Sequence, residues 1–88
     1  MRYTVTWDDD AIDDLADIWL KSADPRAITS AAESIDRILA TEPGTKGRKV
    51  SEGLRSLNVF PLRVFFEVRD ADRLAKVLRV IQSPDLLH

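Results

Sequence analysis

The stretch from Gly53 to Gln82 leaves this chain few choices of fold. It reads as three strands in succession, Leu54 to Val59, Leu62 to Arg69 and Leu74 to Ile81, joined by Phe60-Pro61 and by Asp70-Ala71-Asp72-Arg73. Links this short join antiparallel neighbours, because a parallel return needs a crossover of a dozen or more residues. The stretch is therefore a meander. Successive side chains on a strand point to opposite faces. In the middle strand, Leu62, Val64, Phe66 and Val68 share one face, and Arg63, Phe65, Glu67 and Arg69 share the other. The first face is wholly apolar and has to be covered. The second mixes charge with one aromatic ring and can stay open to a partner.

The cover has to come from upstream. Arg2 to Trp7 alternates, with Tyr3, Val5 and Trp7 on one side, and its β-branched and aromatic residues favour a strand. Asp8-Asp9-Asp10 then opens a helix. An aspartate at the N-cap accepts from free backbone N–H groups, and acids in the first turn oppose the positive end of the helix dipole. That explains the acidic cluster structurally. No ligand of another type accompanies it, so neither a metal site nor a cofactor is expected. Ala11, Leu15, Ile18 and Trp19, with Ile12 beside them, recur at helical spacing and are expected in the core, with Asp13, Asp14 and Asp17 turned away. Asp24 is placed to cap a second helix with Pro25 as its first residue. Ile28, Ala31, Ala32, Ile35, Ile38 and Leu39 form the stripe of this helix, which ends near Glu42-Pro43-Gly44. The short break between the two predicts an antiparallel hairpin. Thr45 to Glu52 reads as a polar loop, in which Gly47-Arg48-Lys49 either holds a phosphate or is simply solvated. Ser83 to His88 reads as a loose tail. The order is strand, helix, helix, strand, strand, strand: an α+β fold with the helical hairpin on one face of the sheet and the N-terminal strand joined to it.

Eighty-eight residues suit one domain, 1–88, with a single core. The chain has no cysteine, and its N-terminus carries no apolar signal region, so a cytoplasmic protein with no membrane partner is expected. The net charge of −2 gives no global signal for nucleic acid. Its distribution says more. Residues 1–24 hold seven acids against Arg2 and Lys21, a net of −5, and residues 46–79 hold nine bases against four acids, a net of +5. The two halves attract one another, or the basic half meets a partner.

On the open face, Arg55, Arg63 and Arg79 are expected alongside Leu57, Val59, Phe65, Val77 and Ile81. An apolar patch rimmed by charge is a binding surface more often than an accident. The other reading is a set of solvated strand arginines, with a second copy of the chain covering the patch.

The order of elements and certain residues resemble the RelE/ParE superfamily of bacterial toxins from type II toxin–antitoxin modules. The residues that carry the resemblance are Ala11 to Trp19 with Asp24-Pro25-Arg26-Ala27, Leu39-Ala40-Thr41-Glu42-Pro43, Gly53 to Leu57, and above all Pro61-Leu62-Arg63-Val64-Phe65-Phe66-Glu67-Val68. The resemblance implies growth inhibition, neutralised by a cognate antitoxin in a hetero-oligomer. Its RelE-type branch implies ribosome-dependent cleavage of mRNA, and its ParE-type branch implies inhibition of DNA gyrase without cleavage. By resemblance Arg63 matches the central-strand arginine and Arg55 a base of the preceding strand. Should the partner be nucleic acid, these two together with Arg48 and Lys49 of the Gly47 loop and Arg79 of the open face are its expected contacts. Leu57 stands where the ribonucleases commonly carry a second base, and no Tyr or His follows the last strand before His88. Chemistry points the same way. Cleavage through the 2′-hydroxyl needs a proton acceptor and a proton donor as well as a stabilised phosphate, and arginines supply only the last. Glu67 is the titratable group on the Arg63 face. It serves either as a general base or as an ion-pair partner of Arg55 or Arg79. These departures lean the expectation toward the ParE branch.

Overall fold

A computed structural model describes residues 2–83, so the expected tail, His88 included, lies outside the described residues apart from Ser83. The elements are β1 (Thr4–Trp7), α1 (Asp9–Lys21), α2 (Pro25–Thr41), β2 (Arg48–Ser51), β3 (Leu54–Val59), β4 (Leu62–Arg69) and β5 (Leu74–Gln82), with a 3₁₀ turn at Asp70–Asp72 before β5. The five strands form one sheet in the order β1-β5-β4-β3-β2. The meander β3-β4-β5 is antiparallel as expected, while β1 joins β5 in parallel after the helical hairpin has crossed one face. Among the described residues no helix is long and apolar enough to cross a membrane.

The core lies between that face and the helices. Leu62, Val64 and Phe66 of β4 are fully buried against Ala11 of α1, Ile28, Ile35 and Leu39 of α2, and Ala75, Val77 and Val80 of β5. Burying each large apolar side chain contributes about 1.5–3 kcal/mol, so the rows along β4 and β5 together hold the hairpin to the sheet, with α1 packed chiefly on β5. Asp24 caps α2 as expected: its Oδ1 accepts from the Ala27 N–H at 3.3 Å, and Pro25 opens the helix. Asp8 occupies the N-cap of α1 but makes no side-chain cap; its carboxylate lies 3.9 Å from Lys76 Nζ on β5.

Three features depart from the sequence reading. The first is β2, a strand where a polar loop was expected. Its residues are all exposed, so no hydrophobic alternation marks it. It forms because β3 offers a free ladder edge and the Glu52-Gly53 link, with Gly53 at φ +78°, turns the chain back. The second is a bulge in β5. Phe66 pairs with Val77 and Phe65 with Arg79, leaving Leu78 unmatched. One extra residue reverses which side the rest of the strand presents. The third concerns the far margin of the sheet. β1 stops after Trp7, halfway along β5; the Asp8 N–H still donates to the Val77 carbonyl at 2.8 Å, and α1 then takes the place of a longer strand. Asp14, expected to face away, instead accepts the Val80 N–H at 3.0 Å.

Candidate functional site

The face of the sheet opposite the helices is the candidate site. Residues directly opposite on paired strands share a face, so the register defines its rows. One row is Asn58, Arg63 and Ile81, and the next is Arg48, Ser56, Phe65 and Arg79. Glu67 and Lys76 follow, with Thr6 of β1 beside Lys76. No described element covers these rows. Arg63 is half-buried; its Nε donates to Asn58 Oδ1 at 2.8 Å, which fixes the guanidinium, and it forms no ion pair among the described residues. Phe65 lies half-buried at the centre. Glu67 accepts from Arg69 Nη2 at 3.1 Å and Nε at 3.3 Å, so its ion-pair partner is its own-strand neighbour rather than Arg55 or Arg79.

Arg79 is drawn to the margin. Its Nε and Nη2 donate to the two carboxylate oxygens of Asp14 at 2.8 and 3.0 Å, a forked pair of charge-assisted bonds. These bonds hold the Asp14 carboxyl below its ordinary value, with the Val80 N–H helping and desolvation opposing. They raise Arg79 in turn. The attraction expected between the acidic N-terminal part and the basic sheet is seen here and at Asp8–Lys76.

Several expected members belong to the other face. Arg55 pairs with Phe66, Leu57 with Val64 and Val59 with Leu62, all on the helix side. The cause is the two-residue turn, which contains a cis Phe60–Pro61 bond and pairs Val59 with Leu62, so that the odd-numbered residues of β3 share the apolar face of β4. Leu57 and Val59 pack on the core. Arg55 sits at its rim and donates to the carbonyls of Lys46 and Gly47 at 3.1 and 3.4 Å, fastening the approach to β2. Lys49, opposite Arg55, faces the same way and lies 3.8 Å from Glu52. Val77 is fully buried, because the bulge at Leu78 separates it from the face of Arg79 and Ile81. Of the expected residues, the open face thus assembles Arg48, Arg63, Phe65, Glu67, Arg79 and Ile81. It excludes Lys49, Arg55, Leu57, Val59 and Val77.

Sequence reasoning missed a second feature. Trp19, expected in the core, is 44% exposed, and Ile12 and Leu20 are 51% and 75% exposed. Trp19, Ile12 and Leu15 form one wall of a groove of about 350 Å³ over Trp7, Ile28 and Ala32, with Thr29, Glu33 and Asp36 along the other wall. Both indoles are anchored: Trp19 Nε1 donates to Thr29 Oγ1 at 3.3 Å, and Trp7 Nε1 to Asp36 Oδ1 at 2.8 Å. The signal was present in α1. Ala11, Ile12, Leu15, Ala16, Ile18, Trp19 and Leu20 span too wide an arc for one helix face to bury.

Known structures share this architecture. The chain is similar to one in the RelBE2 toxin–antitoxin complex from Mycobacterium tuberculosis, with a TM-score of 0.80 and 24% identity over 97% of this chain and 95% of that one. It is similar to one in the chromosomal ParDE system of P. aeruginosa, with a TM-score of 0.76 and 19% identity over 94% and 98%. Its likeness to the isolated RelE toxin of E. coli has a TM-score of 0.64 and 12% identity over 97% and 88%. At these identities the likeness is one of fold. No curated protein sequence matches the chain. The sequence pattern described as the ParE toxin of the type II toxin–antitoxin system parDE, however, matches residues 5–85, almost the whole chain, and with the two-helix, five-strand architecture it establishes that this protein belongs to the ParE toxin family of type II toxin–antitoxin systems.

Proposed function

We propose that the protein stops bacterial growth by binding DNA gyrase through the open sheet face, without cutting RNA, and that a cognate antitoxin neutralises it in the cytoplasm. The observation that carries this reading is the state of the groups on that face. Arg63 is held outward by Asn58 and is free of carboxylates among the described residues, a donor ready for a macromolecule. Glu67 is the one carboxylate of these rows, with Arg69 of its own strand bonded to its Oε1, so the face offers a single carboxylate for the two proton transfers that cleavage through a 2′-hydroxyl needs. A surface of this kind binds but has little means of moving protons.

The row Arg48, Ser56, Phe65 and Arg79 supports a second reading, a ribosome-dependent ribonuclease, since bases interleaved with an aromatic ring suit single-stranded RNA. Induced expression with parallel readout of translation and plasmid supercoiling separates the two. Gyrase inhibition gives altered plasmid topology and a DNA-damage response while ribosome-bound mRNA stays intact. Normal topology with codon-linked cleavage selects the ribonuclease. In either case Arg63→Ala restores growth. Killing as fast as wild type by Arg63→Ala removes the sheet face from the account, and unimpaired growth with the wild-type chain makes it a binding module without toxicity.

A further inference from the structure

Arg63, Arg69 and Arg79 all stand on strands of the meander, and each has its Nε–H held by an acceptor side chain. For Arg69 the acceptor is Glu67, and for Arg79 it is Asp14. Both acceptors are carboxylates, so both arginines are neutralised as ion pairs. For Arg63 the acceptor is Asn58 Oδ1 at 2.8 Å, an uncharged amide. The register produces this pair. Asn58 of β3 stands directly opposite Arg63 of β4, so their Cβ atoms lie about 4.5–5.5 Å apart, within reach of a short amide and a long guanidinium stem. On its other flank Arg63 faces Ile81, whose side chain has nothing to accept with. A guanidinium only donates, so the amide has to present its oxygen. Asparagine is depleted in strands and Asn58 is exposed, so neither backbone preference nor burial accounts for an amide at this position.

We propose that Asn58 is a positioning residue for Arg63, and that its lack of charge is what the position requires. The inference rests on the open face being the surface that meets the target, and deepens that reading. With Nε taken, the N–H bonds left to Arg63 are those of Nη1 and Nη2, the end-on fork that suits an anionic group of the target. Fixing a long, rotamer-rich side chain beforehand lowers the ordering cost of binding. An aspartate in place of Asn58 would fix the guanidinium as well, but would neutralise it and repel the incoming anion. The amide orients the charge and leaves it whole.

Titrated induction of variants tests this. Growth arrest is read against the amount of folded chain in the cell, alongside the melting temperature of the purified chain and the exchange rate of the Arg63 Nε–H by NMR. Asn58→Asp keeps the Nε bond and adds an ion pair. It should melt no lower than wild type and exchange no faster at Nε–H, yet need at least about tenfold more chain for the same arrest. A purely structural role would leave arrest unchanged in a variant of that stability. Asn58→Leu releases the guanidinium, so Nε–H exchange should quicken and arrest should need about three- to tenfold more chain. Asn58→Gln, uncharged and able to accept, should be more potent than either. Arrest by Asn58→Asp or Asn58→Leu at the wild-type amount, while Arg63→Ala is harmless, overturns the inference and leaves the open-face reading standing. An Asn58→Asp chain that melts early, or that is as potent as Asn58→Leu, overturns it too. Arg63→Ala arresting growth like wild type removes the open-face reading itself, and this inference with it.

Discussion

Asp14 shows how much one side chain settles. It joins α1 to the unpaired part of β5 through one backbone N–H and one guanidinium, across a sequence separation of 65 residues to Arg79. Its pKa is depressed from the ordinary value of 3.8 in the folded protein, so its contribution is fully present above that value and is lost as the pH falls through the folded pKa. Asp14→Asn should therefore melt earlier than wild type at neutral pH, and the two melting curves should converge as the solution is acidified toward about pH 2. A gap of equal size at both ends would mean that the charge contributes nothing. Tyr3 works in the opposite sense. Its hydroxyl donates to Asp70 Oδ1 at 2.5 Å, which raises the phenol pKa, so this tie between β1 and the β4–β5 turn holds at neutral pH and is lost as the pH rises through that raised value. Neither contact was visible in the sequence, because no local pattern marks partners so far apart.

Among the elements, the legible ones carried their own periodicity. Both helices, the cap at Asp24-Pro25 and the three meander strands follow from alternation or helical spacing within each segment. What failed was the relation between neighbours. An open-face position for Arg55 is at odds with the two-residue turn, which pairs Val59 with Leu62 and sends Arg55 to the other side, a relation that turn length alone implies. The misplacement of Val77 was not avoidable in this way, since nothing in Leu74–Gln82 announces the unmatched Leu78. β2 was illegible because tertiary pairing, not side-chain pattern, makes it a strand. Its entry depends on Gly47, at φ +72°, where an added Cβ would stand 2.0 Å from the Ser56 carbonyl oxygen. Gly47→Ala should consequently release β2 from β3 while the core persists. Hydrogen exchange should quicken at the β2 amides, and those of β4 should keep their protection. Equal loss at both would mean that β2 is integral to the cooperative core.

For the molecule as a whole, placing both helices on one side of the sheet divides the surface into two electrostatically unlike fronts, the Arg63 face and the acidic hairpin. The two lateral margins are unlike as well. At one, β1 is short, the N–H of Tyr3 just before it is taken by the Ala40 carbonyl at 2.8 Å, and α1 closes the rest of β5. At the other, β2 ends the sheet with Arg48 and Lys49 exposed, charges that discourage strand-on-strand contact. Arg48→Thr with Lys49→Thr should make the chain associate with rising concentration in analytical ultracentrifugation. A ladder with one permissive end has a further property: two copies meeting through β2 would leave nothing for a third to add to. Such a variant should stop at pairs, and a continuing series of larger species would show that the β1 side also templates. By lodging a helix where a strand would have run on, the chain has made fibre growth geometrically self-terminating.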